Sequence, residues 1–150
     1  KETFYVHFKN KEELFIACAD IVFHNMYNNV WQEIKDEKNI IERSKKRARA
    51  FMDSFPKWVT MMNLVRSLSV GNNPALREKF KNLLSQMIDP ISKDYERFKK
   101  ESNMNRVIDS TIAGYCIMGM AESGAMLIER GVCTEDEVID YVTTIVMQGL

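Results

Sequence analysis

The residues best equipped for recognition chemistry lie at the start of the chain. Thr3, Tyr5, His7 and Lys9 alternate with apolar residues, and each brings a hydroxyl, imidazole or ammonium group that can hydrogen-bond base edges or phosphates. By pattern alone, residues 1–14 predict a short helix, a break near Lys9-Asn10, and a long helix after it. Asn10 is placed to cap that second helix by accepting the backbone N–H of Glu13. The acids Glu12 and Glu13 suit its positive end.

Catalytic chemistry has no comparable foothold. His7 lies in the N-terminal segment, and His24 stands one helical turn after Asp20, the spacing of a surface pair. Neither has a Ser or Cys nucleophile motif beside it, and no glycine-rich phosphate loop occurs. Cys18, Cys116 and Cys133 are odd in number and widely spaced, which argues against a disulfide framework or a zinc site. No cofactor, no metal and no catalytic residue are expected, and Cys116, in an apolar run, is expected to be core. Glu122 is the lone acid of that run. It is a candidate counter-charge for a cationic effector, a partner for a basic residue across a dimer interface, or a rim residue in water.

The elements that must hold these residues are helical. From Lys11, apolar residues recur at Leu14, Phe15, Cys18, Ile21, Val22, Met26, Val30 and Ile34, the stripe of one amphipathic helix. A second stripe runs from Ile40 to Phe55, with five basic residues and one acid over residues 42–49, expected to form a solvated opposite face. Pro56 is expected to end it, with a short helix over residues 57–70. Asn73-Pro74 predicts the next start, and Pro90 a kink within that helix. A helix over residues 106–130 closes at Gly131, and Thr134 with Glu137 forms a capping box for the last. No stretch alternates with period two, so the class is all-α.

Composition agrees with one soluble domain. The 150 residues are 45% hydrophobic, carry only six Gly and three Pro, and have zero formal net charge. A chain of this size buries roughly two-thirds of its unfolded surface. Residues 111–128 are apolar enough to raise a membrane span, but Glu122, Ser123 and three glycines favour a buried helix in a protein without a membrane role. The small residues Gly114, Gly119, Ala121, Gly124 and Ala125 thin this helix for close approach. With the amphipathic last helix they predict a homodimer interface, against the rival reading of packing within one chain.

Residues Thr3-Phe4-Tyr5-Val6-His7-Phe8-Lys9-Asn10-Lys11-Glu12-Glu13-Leu14 resemble the signature T-[FIL]-Y-x-[HY]-F-x-[NS]-K-E-x-L of the TetR family, with every signature position filled. The resemblance implies the end of a helix-turn-helix DNA-binding domain over residues 1–14, running into an antiparallel helical regulatory domain over residues 15–150. Thr3, Tyr5 and His7 would face the major groove, Lys9 and Lys11 the backbone, and Phe4 and Phe8 the core. The family carries two further helices before this point, so the resemblance also implies a piece of a longer protein. It further implies an effector pocket among the middle helices, for which Trp58, Met62, Tyr95, Tyr115, Met118 and Glu122 are the candidate liners.

The function expected is a cytoplasmic, ligand-responsive transcriptional regulator. It is a homodimeric repressor, joined through the last two helices and released from double-stranded operator DNA by a small apolar or amphipathic effector. The alternatives are a helical small-molecule carrier without a DNA role, and a helical-bundle enzyme with Glu122 or Cys116 as its only reactive groups.

Overall fold

Asn10 caps the first helix among the described residues. Its backbone is extended (φ −156°, ψ 173°), and its Oδ1 accepts the Glu13 N–H at 2.8 Å, satisfying one of the unpaired donors at the start of helix α1, Lys11–Ile34. The computed structural model describes residue 8 and residues 10–69, 74–102 and 108–148. After α1 come α2 (Ile40–Ser69), α3 (Pro74–Ser102), α4 (Ser110–Glu129) and α5 (Glu135–Gln148), and no strand occurs among the described residues. The all-α class expected from periodicity is the one observed.

The helix ends follow their local chemistry. Asn39 caps α2 by accepting from Ile41 and Glu42, and Asp109 caps α4 through Thr111 and Ile112. At the end of α4, Gly131 takes φ +68°. Its N–H reaches the Ile128 carbonyl at 2.9 Å while the Val132 N–H reaches Leu127 at 3.0 Å. This paired closure satisfies two orphan carbonyls and needs a residue that tolerates positive φ. The capping box of α5 forms as its sequence predicts. Thr134 donates its N–H to Glu137 Oε2 at 2.8 Å, and the Glu137 N–H returns to Thr134 Oγ1 at 3.3 Å.

Two expectations about α1 and α2 are corrected. The buried face of α1 is Ala19, Phe23, Met26 and Ile34, whereas Ile21 and Cys18 are exposed. The helix is turned so that the Phe23 ring enters the core. Pro56 does not end α2, which continues through it to Ser69. A proline inside a helix costs about 3 kcal/mol. Here Phe51, Met52, Phe55, Trp58, Met61 and Met62 are buried on both sides of it, while Pro56 itself is exposed. Six buried side chains on one continuous stripe, worth about 1.5–3 kcal/mol each, outweigh the lost hydrogen bond. α3 likewise runs unbroken through Pro90.

The core lies where α1 packs on α2, α3 on α4, and α5 on both α4 and α2. α4 is long and apolar enough to cross a membrane, with 28% of that window buried. A Cβ on Gly114 would stand 2.3 Å from Ser92 Oγ of α3, and one on Gly124 2.2 Å from Val138 Cγ1 of α5. These two glycines therefore let helices of one chain approach each other, as the rival reading had it. Gly119 faces open space. Cys116, expected in the core, is exposed, because α4 turns Ala113, Gly114, Met118 and Ala125 inward and Cys116 lies across the helix from Met118.

Candidate functional site

Four helices contribute to one internal apolar cavity of about 70 Å³. α1 supplies Met26 and Val30, α2 Phe51, α3 Met87, and α4 Met118 and Ala121. Three of these lining residues are methionines from three different helices, and the remaining helix, α2, adds a phenylalanine. Unbranched thioethers adapt to irregular space, so a void bounded by them can change shape without backbone movement. Trp31 lines the same cavity yet is 43% exposed, so it connects the lining to solvent, with the Arg43 guanidinium 5.9 Å from its ring centre.

A second cavity of about 40 Å³ is lined by residues of α2, α3, α4 and α5, among them Asp94, Tyr95, Ile117 and Val146. Ser44, Arg47 and Ile91 line both, so they form a shared wall. The basic run of α2 is only in part the solvated face its composition predicted, since Lys46 and Arg49 are exposed whereas Arg43 and Arg47 turn inward. Arg43 Nε donates to Asp94 Oδ2 at 3.0 Å, and Arg47 donates to the same oxygen. Lys46 pairs with Glu37, and Arg49 with Asp136. The Arg47 side chain is only 11% exposed. Burial pushes its guanidinium pKa below the ordinary value, and Asp94 opposes that shift.

Among the residues singled out by sequence, Met118 stands in the lining of the first cavity and Tyr95 in that of the second. Trp58 is 1% exposed in the core and donates its indole N–H to Glu122 Oε1 at 2.7 Å. Glu122 therefore serves the tryptophan, a role that sequence reasoning missed because the two lie 64 residues apart. Met62 is buried in the core cluster, and Tyr115 is 46% exposed on the outside of α4. Cys116 lines an outer groove of α4 and α5 with Leu127 and Tyr141, away from Glu122's indole partner. Sequence reasoning also passed over Arg47, Trp31 and Met26. No local signal marked Arg47, because its partner Asp94 lies 47 residues away on α3.

At the other end of α1, Lys11 is the exposed first residue of the helix. Thr3, Tyr5, His7 and Lys9 lie outside the described residues. Among the described residues no group of His, Cys, Asp and Glu is arranged to hold a metal ion.

No protein-family model matches the sequence, and no curated protein is a significant relative. Among solved structures, the chain is similar to a protein assigned to the TetR family of transcriptional regulators, from Syntrophomonas wolfei. The TM-score is 0.66 at 18% sequence identity, over 97% of this chain and 75% of that one. At that identity the likeness is one of architecture, and this chain has a TetR-like, all-helical fold.

Proposed function

We propose that this chain is the sensing and dimerising part of a ligand-responsive transcriptional regulator, a cytoplasmic repressor released from operator DNA by a small apolar or amphipathic effector. The observation that carries the reading is the course of α1. One helix supplies Met26, Val30 and Trp31 to the cavity and begins at Lys11, where the DNA-binding signature of residues 3–14 runs into it. In this reading residues 1–14 close the helix-turn-helix and residues 15–150 form the regulatory domain. Thr3, Tyr5 and His7 read the major groove, and Lys9 and Lys11 hold the phosphates.

Pairing of two copies supplies the two recognition helices that adjacent half-sites require. The surface offered for it is the exposed apolar face of the last two helices, with Ile112, Tyr115, Met126, Leu127 and Tyr141. An effector in the cavity favours the arrangement of α1 that spaces the recognition helices wrongly. Operator affinity then falls by the difference in effector affinity between the two states.

The test is fluorescence anisotropy of the natural full-length protein on DNA from upstream of its own gene, against scrambled DNA, over a salt series. Tight, sequence-selective binding is expected, weakened roughly tenfold or more by Tyr5→Ala or Lys11→Ala. Equal, weak binding to both DNAs overturns the regulator and leaves a helical carrier protein.

A further inference from the structure

The two cavities meet at a charge that is not fully matched. Arg43 and Arg47 both donate to Oδ2 of Asp94, so two guanidiniums share one carboxylate. Arg47 is nearly buried, and Asp94 is the carboxylate that opposes the desolvation of its charge. Buried charges are ordinarily paired, which leaves this cluster short of one negative charge. Across the second cavity, Tyr95 is 3% exposed and its hydroxyl has no hydrogen-bond partner among the described residues. A buried donor without an acceptor is uncommon and calls for a partner that the chain itself does not supply.

Beyond the Arg47 wall, the first cavity is lined mainly by apolar side chains, among them Met26, Phe51, Met87 and Met118. We propose that the two cavities, adjacent across Arg47, open to each other around a small amphipathic monocarboxylate, with its carboxylate received by Arg47 and the Tyr95 hydroxyl and its apolar body among the methionines. The inference rests on the sensing reading above and names the chemical class of the effector. A cation would meet two guanidiniums. A neutral apolar molecule would fill the methionine end and leave both the excess charge and the hydroxyl unmatched. One negative charge answers the shortfall of one.

At about 70 and 40 Å³ the cavities are small, which fits a short chain accommodated by methionine side chains that swing aside. A long acyl chain does not fit this space.

Calorimetric titration of the full chain with hexanoate, 1-hexanol and hexylamine tests the proposal. Hexanoate is expected to bind, 1-hexanol about tenfold more weakly, and hexylamine not at all. Tyr95→Phe, which keeps the ring and its packing, is expected to weaken hexanoate roughly fivefold, the size of one hydrogen bond, and to leave 1-hexanol unchanged. Arg47→Met is expected to abolish the preference for the acid over the alcohol. Equal binding of hexanoate and 1-hexanol to the unaltered chain overturns the carboxylate while leaving an apolar sensing pocket. A hexanoate preference that survives Tyr95→Phe and Arg47→Met also overturns it. Binding of none of the three overturns the internal site itself. The DNA measurement is made separately, so failure of the regulator reading is told apart from failure of this one.

Discussion

The indole of Trp58 and the carboxylate of Glu122 form a buried-donor contact whose two sides are unequally exposed. The ring is enclosed, whereas Glu122 is half-buried, so loss of the acceptor strands the indole N–H more severely than loss of the indole strands the acid. Glu122→Ala is expected to cost about 1–3 kcal/mol in urea unfolding, and Glu122→Gln, which retains an acceptor, distinctly less. Glu137 makes a second residue-scale case. The Thr134 backbone N–H and hydroxyl hold its carboxyl below the ordinary range. A depressed folded pKa stabilises above the unfolded value and is lost as pH falls through the folded one. Glu137→Gln is therefore expected to lower stability at neutral pH and to converge on the unaltered chain as pH falls through the folded pKa, a flatter acid side that urea unfolding followed over pH reads. Both caps were legible in the sequence, because Asn10–Glu13 and Thr134–Glu137 act within three residues. The Trp58–Glu122 bond was not legible, since nothing local fixes which side chain meets a lone acid across the bundle.

At the scale of elements, α4 carries opposite requirements on its faces. Gly124→Ala places a methyl against Val138 and is expected to destabilise by about 1–3 kcal/mol, the range of an overpacked contact. Gly119→Ala meets nothing and is expected to stabilise by about 0.5–1 kcal/mol through helix propensity alone. Thermal unfolding of the two variants checks the contrast, and a loss at both positions would contradict it. The helices were legible from periodicity, but the faces of α1 and the fate of Pro56 were not. Ile21 and Phe23 both fit a helical stripe, and only the neighbouring helix decides which enters the core. A proline weighs against a helix locally, whereas the six buried side chains flanking Pro56 act only once α2 meets the rest of the bundle.

For the whole molecule, the outer face of α4 and α5 is an open apolar groove, with Tyr141 70% exposed and Leu127 beside it. If two copies join there, Leu127→Arg or Tyr141→Glu is expected to yield a monomer in analytical ultracentrifugation with unchanged helical content. A dimer that persists in both variants would place the contact elsewhere. The cavity itself was only partly legible. Met118 and Tyr95 were among the candidates, but the arginine between the two voids belongs to a basic run whose composition resembles any solvated helix. α1 has one further consequence, and it is mechanical. Twenty-four residues at 1.5 Å each make a rod of about 36 Å without a proline or glycine to absorb bending. A tilt of about 5° at the Ile34 end moves the Lys11 end by about 3 Å, roughly the spacing of one base pair along a duplex. If an effector in the cavity tilts α1, as the proposed function requires, that tilt is geared up to a shift in register at the far end.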